Sequence, residues 1–161
     1  MIREAAAEDW PAIWLFFHEI VAAGESFGYD TEMSEEEARA MWLDSPPSRT
    51  TVVTDASGAI LGSANMHPNR GGPGAHVASA TYVVDTAHQG RGAGRALVED
   101  SLAWARGAGF KAMQFNAVVE TNERAVALYE SLGFAIVGTV PEAFRHPRHG
   151  YVGLHVMHCG L

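Results

Sequence analysis

From residue 89 to residue 95 the chain reads Gln-Gly-Arg-Gly-Ala-Gly-Arg. Three glycines in five residues let backbone amides come close to a ligand, and amides crowded at a helix start form an anion site. Arg91 and Arg95 add positive charge to a chain whose formal net charge is -8. The chemistry implied is phosphate binding. Alone, the run leaves open a nucleotide site, a P-loop relative or an idle glycine turn entering a helix. Its spacing, Gly90-x-Gly92-x-Gly94, is not the G-x-G-x-x-G of dinucleotide folds, and no acid follows about 20 residues on to hold a ribose. The Walker pattern G-x-x-x-x-G-K-[ST] is absent as well.

Further along the chain, Asn122, Ala125, Tyr129 and Gly133-Phe134 fall at the spacing of a short helix with a glycine stop. Tyr129, one turn from Ala125, reads by spacing as a helix-face aromatic, and Asn122 is a natural N-cap. Glu120, at a strand end, is either a base acting through water or a solvated loop carboxylate. His67, Glu142 and His146 are weaker base candidates. His146, His149, His155 and His158 gather near the end without the regular spacing of a metal site, so no metal is expected. Gln114 and Asn116 share one strand face amid apolar neighbours, and an Asn amide can donate to a carboxylate without adding charge. Asn69, at the end of another strand, is expected to reach the same cleft. Cys159, two residues from the end, is expected on a frayed terminus, remote from this chemistry.

The elements that must position these residues follow from periodicity. Ile2 to Ala5 reads as a short strand. Asp9 as N-cap and Pro11 in the first turn open a helix with Ile13, Phe16, Phe17, Ile20 and Val21 on its apolar face, ended by Gly24. Ser34-Glu35-Glu36-Glu37 is a capping box for a second helix presenting Ala38, Met41 and Trp42, stopped by Pro46-Pro47. Thr50 to Thr54 and Ile60 to Met66 pair around Ser57-Gly58. Asn69 to His76 is a loop, and Ala78 to Val84 a strand leading to the glycine run. A helix to about Arg106 buries Leu97, Ser101, Trp104 and Ala105, with Gly107 and Gly109 as candidate stops. Ala112 to Val119 is a strand, followed by the Tyr129 helix, then strands Ala135 to Val140 and Tyr151 to His158. With 161 residues, this order describes one mixed α/β domain.

Composition excludes some partners. The net charge of -8 and a single lysine, Lys111, argue against a nucleic-acid or polybasic membrane surface. One cysteine allows no internal disulfide or thiolate zinc site. No apolar stretch is long enough to span a bilayer, and no signal-like N-terminus is present, so a cytoplasmic location is expected.

Gln89-x-x-Gly92-x-Gly94 and Asn122-x-x-Ala125-x-x-x-Tyr129-x-x-x-Gly133-Phe134 together resemble the signature motifs of the GCN5-related N-acetyltransferases. The resemblance implies a single domain over residues 1–161. It implies a mostly antiparallel twisted sheet of about seven strands with about four helices, splayed between the fourth and fifth strands. It implies acetyl-CoA as co-substrate, its pyrophosphate held by Gln89, Gly90, Arg91, Gly92, Ala93, Gly94 and Arg95. Pantetheine would pair with Tyr82, Val83 and Val84 on a strand that is usually bulged, a freed amide near Val83 serving the oxyanion. Tyr129 would protonate the coenzyme A thiolate, and Asn122 would contact the pantetheine arm or position a water. Asn65-Met66-His67-Pro68-Asn69, Phe115-Asn116 and Val119-Glu120-Thr121-Asn122 resemble fungal acetyltransferases acting on proline analogues such as azetidine-2-carboxylate. There, residues matching Asn69 and Asn116 hold the substrate carboxylate. Gly24-Glu25-Ser26-Phe27 resembles the phosphinothricin-type enzymes. The shared implication is transfer to a small amino-acid-like amine in a ternary complex, by a protein of family-typical dimeric state. Protein or peptide N-terminal acetylation and a non-catalytic coenzyme A module are the alternatives.

Overall fold

The structure, a computed structural model, describes residues 1–43 and 46–161. Among these residues eleven elements follow one another: β1 (Ile2–Glu4), α1 (Trp10–Ala23), α2 (Glu35–Trp42), β2 (Arg49–Thr54), β3 (Ile60–Pro68), β4 (Val77–Val84), α3 (Ala93–Gly107), β5 (Ala112–Val119), α4 (Glu123–Ser131), β6 (Ala135–His146) and β7 (Gly150–Gly160). The strands form one seven-stranded sheet in the order β1-β2-β3-β4-β5-β7-β6. All neighbours are antiparallel except β4 and β5. That parallel pair holds only through Val77–Ala112 and Ala78–Met113, after which the two strands diverge. The splay expected between the fourth and fifth strands is therefore present.

Alternation along the strands sends side chains to opposite faces, and each face has its own core. On one face α1 and α2 bury Trp10, Ile13, Phe17 and Trp42 against Val52 and Val83. The indole of Trp42 donates to the Ser63 hydroxyl at 2.9 Å. On the other face α3 buries Leu97, Val98 and Ala105 against Met66, Met113 and Phe115, with Tyr82 and Tyr129 packed at the margin. The capping box at Ser34 forms as expected, Glu37 N–H donating to Ser34 Oγ and the Glu37 carboxylate accepting from Ser34 N–H.

Several expectations are corrected. Asp9 does not cap α1; its carboxylate accepts from Ala6 N–H and pairs with Arg3 at 2.7 Å, and this guanidinium bond holds its pKa below the usual carboxylate value. In α2 only Ala38 and Trp42 are buried, and Met41 is exposed. The left-handed stop after α3 is Gly109, at φ +83°, while Gly107 is still helical. β6 does not end before Pro141 but continues to His146. The sequence pattern stopped there because proline cannot donate to a ladder. The strand is the sheet edge, and its register shifts between Val140 and Phe144, so no ladder amide is missed. Cys159 is not frayed: β7 pairs along β5 to Gly160, and the thiol is buried. Gly133 takes φ +96° after α4, letting Phe134 N–H donate to Tyr129 O at 3.1 Å and Phe134 bury its ring, as expected.

Candidate active site

Where β4 and β5 part, a cleft of about 960 Å³ opens between them. Its floor runs from Ser79 to Val84 on one side and from Phe115 to Val119 on the other. Gly90, Gly92 and Gly94 close one end. The α1–α2 loop (Ser26, Phe27 and Tyr29) and the β6–β7 hairpin (His146, Arg148 and His149) roof the other.

At the glycine end the turn is built for an anion. Gly90 and Gly92 take φ +81° and +84°, the left-handed region where a side chain is strained. Gly92 is the residue before α3, and no side chain among the described residues caps that helix. Its first amides therefore point out of the helix unpartnered by any cap, at the positive end of the dipole. Arg95 lines this end, bonded to Ser131 Oγ at 2.8 Å, but Arg91 is exposed and lies outside the lining. In its place stands Arg124 from α4, donating to Gln89 Oε1 at 3.1 Å. The sequence offered no signal for Arg124, because its approach depends on how α4 docks beside the turn.

Along the splay, strand alternation decides which amides are free. Asp85 N–H donates to Leu61 O, and Val77 O accepts from Asn69 N–H, so odd-numbered residues of β4 turn their polar backbone to β3. Tyr82 and Val84 therefore present their amides to the cleft, and Val83 does not. The β3–β4 register runs without a shift from Gly62–Val84 to Pro68–Ala78, so the expected bulge is missing from this pairing.

Two tyrosines meet beside these amides. The rings of Tyr82 and Tyr129 lie 6.2 Å apart, and that of Tyr129 lies 4.7 Å from Phe115. Burial raises both phenols above their ordinary value, so both are protonated at neutral pH. Their hydroxyls differ. Ser101 Oγ donates its single proton to Val98 O, so Tyr82 must donate to Ser101, and its proton is committed. Tyr129 Oη has no hydrogen-bond partner among the described residues, and the residue lines the cleft. Asn122 caps α4, its Oδ1 accepting from Ala125 N–H at 3.3 Å, and lines the cleft as well.

On the opposite sheet face, Asn69 and Asn116 bond reciprocally: Asn116 Nδ2 donates to Asn69 Oδ1 at 2.7 Å, and Asn69 Nδ2 to Asn116 Oδ1 at 3.3 Å. Gln114 Nε2 donates to Asn116 Oδ1 at 2.9 Å. A register shift against β7 between Phe115 and Val118 makes Asn116 and Ala117 a bulge, exposing both while Phe115 and Val118 stay buried. Asn116 lines the cleft and Asn69 sits behind it. Glu120, read as either a base acting through water or a solvated carboxylate, does not line the cleft. Its carboxylate accepts from Gly153 N–H on β7, which fixes the strand behind the site. Glu142, at φ +51° on the β6 bulge, is exposed outside the cleft too. The described residues contain no cluster of three metal-ligating side chains. No helix among them is long and apolar enough to cross a membrane.

A sheet split beside an uncapped helix start, with a free phenol between, is an acyltransferase architecture: it holds a long phosphorylated acyl carrier and presents its end to a second substrate. The profile of the Acetyltransferase (GNAT) family matches residues 7–134, and the chain belongs to that family as an N-acetyltransferase. It is similar to the solved structure of a GCN5-related N-acetyltransferase from Kribbella flavida. Identity is 61% and the TM-score 0.97, over 100% of this chain and 97% of that one. N-acetyltransferase aca1 of Schizosaccharomyces pombe is 28% identical over 156 residues, 88% of this chain and 75% of that protein. The L-methionine sulfoximine/L-methionine sulfone acetyltransferase of Pseudomonas aeruginosa is 29% identical over 147 residues, 88% of this chain and 83% of that protein.

Proposed function

We propose that the protein transfers the acetyl group of acetyl-CoA to the amine of a small amino-acid-like acceptor by direct attack in a ternary complex. The observation that carries this reading is the continuity of one cleft from the glycine turn, past Tyr129, to the Asn69–Asn116 pair on the far sheet face. The pyrophosphate takes the amides of Gly92, Ala93 and Gly94, with Arg95, Arg124 and Gln89 around it. Pantetheine lies along β4 as an added strand, and the amide of Tyr82 or Val84 stabilises the oxyanion of the tetrahedral intermediate. Tyr129 gives its proton to the departing thiolate, because its hydroxyl is free and that of Tyr82 is not. Asn122 orients the arm. Asn116, held by Asn69, donates to the acceptor carboxylate, a role in keeping with the amino-acid analogues named for the Pseudomonas relative.

The roof favours a small acceptor over a peptide. Arg148 on the β6–β7 hairpin pairs with Glu25 on the α1–α2 loop at 2.9 Å, bridging the end through which a peptide chain would have to pass. A cytoplasmic homodimer completes the reading; exposed Ile136, Val137 and Val140 on edge strand β6 support the dimer, and sedimentation tests it. The activity is tested by thiol release from acetyl-CoA over a panel of L-methionine sulfone, azetidine-2-carboxylate and a basic peptide. Release with the amino-acid analogues supports the reading, and release with the peptide alone overturns the acceptor class.

A further inference from the structure

We infer that His67 is the general base of the transfer, its lone pair fixed toward the acceptor by a backbone carbonyl. The inference rests on the acetyltransferase reading above. Deprotonation is needed because an alkyl ammonium has no lone pair with which to attack a thioester. His67 lies near the end of β3, opposite Ser79 of β4, on the sheet face that carries Asn116, and it lines the cleft. Its Nδ1 is 2.9 Å from Pro68 O. A carbonyl oxygen only accepts, so Nδ1 carries the proton and Nε2 keeps the lone pair.

The other cleft groups are committed differently. His146 has the opposite tautomer, because its Nδ1 accepts from Arg148 N–H at 3.1 Å and His149 N–H at 3.3 Å, leaving Nε2 protonated. Glu25 is held by Arg148, and Glu120 by Gly153 outside the cleft. Glu19 and Tyr29 line the cleft from the α1 side, Tyr82 from β4, and Arg148 and His149 from the hairpin. Of these, Glu19 is an exposed carboxylate on α1, and His149 is exposed at the hairpin tip. Ser79 is three residues before Tyr82, roughly 10 Å along the strand, so His67 Nε2 works on the amine through water and not by direct contact.

His67 Nε2 takes one proton from the substrate ammonium through the water. The amine attacks the thioester carbonyl, the N–C bond forms, and the C–S bond breaks as Tyr129 protonates the thiolate. The remaining excess proton on nitrogen returns to the Tyr129 phenolate, and imidazolium releases its proton to solvent.

The test compares wild type with His67→Asn and His67→Ala. Asparagine can still donate to Pro68 O but offers no basic nitrogen. With L-methionine sulfone as acceptor, both variants are expected to lose about 10²- to 10⁴-fold in kcat with acetyl-CoA affinity unchanged. The deficit should narrow as pH rises past the amine's own pKa. If His67→Asn restores wild-type kcat, the residue is structural and the inference is overturned. Two readouts need no amine: hydrolysis of acetyl-CoA by water, which should fall equally in His67→Asn, and ¹⁵N chemical shifts of the His67 ring. A protonated Nε2 in the neutral ring, or unchanged hydrolysis in His67→Asn, overturns the inference. Failure of wild type to release thiol with any amine overturns the function instead.

Discussion

Two phenols within ring contact of each other are given different work by one serine. Because Ser101 spends its proton on Val98 O, Tyr82 is a committed donor, while Tyr129 Oη has no partner among the described residues, as its proposed role toward the thiolate requires. Tyr129→Phe is therefore expected to lower kcat by about 10²- to 10⁴-fold, with acetyl-CoA affinity by calorimetry within a few-fold of wild type. Tyr82→Phe should keep kcat and lose about 1 kcal/mol of stability, the net worth of one hydrogen bond, read by denaturant unfolding. Burial raises the Tyr129 phenol, so its protonated form persists above its ordinary pKa. The kcat–pH profile should then show no alkaline loss from this group below about pH 10. Tyr129 and Asn122 were legible in the sequence because their spacing is a property of one helix. The commitment of Tyr82 was not, since it depends on a contact with α3. The two readings of Glu120 could not be separated for a similar reason: a strand-end carboxylate says nothing about which neighbouring amide it will meet.

At the level of elements, the α3 start and the β5 bulge do the positioning. Gly92 has open space around a built Cβ, so its requirement for glycine is conformational and not steric. Gly92→Ala is expected to cost about 1–2 kcal/mol from the left-handed backbone alone. Acetyl-CoA affinity should fall with it, as the altered turn no longer aims the α3 amides. Equilibrium dialysis against coenzyme A measures this, and unchanged affinity would remove the turn from the phosphate site. The turn was readable from glycine spacing alone, because its conformation is local. The bulge that exposes Asn116 was not readable, because register is set by pairing with β7, a strand remote in the chain. Arg124 escaped notice likewise: nothing local distinguishes it from a solvated helix arginine. β6 escaped its full length because Pro141 breaks a central strand but is harmless on an edge.

Across the whole molecule, two cores clamp one sheet, and the split in that sheet is the site. The helices α1 and α2 bury Trp42 and Phe17 on one sheet face, while α3 packs the other. Trp42→Ala should destabilise by about 3–5 kcal/mol, combining lost burial with loss of the indole hydrogen bond to Ser63, whose hydroxyl still donates to Thr51 O. That corresponds to a Tm lower by roughly 10 °C for a domain of this size, measurable by calorimetry. The architecture followed from the order of periodic segments and from the two motifs. The roof did not, because the Glu25–Arg148 bridge joins segments remote in the chain.

In the proposed reaction one cleft brings acetyl-CoA and a small amine together at Tyr129. Thiol release from acetyl-CoA with L-methionine sulfone, followed for wild type and Tyr129→Phe side by side, tests it most directly. Wild type is expected to release thiol steadily and the variant to lose at least about 100-fold, with acetyl-CoA still bound by both. Equal release by the two proteins would contradict it.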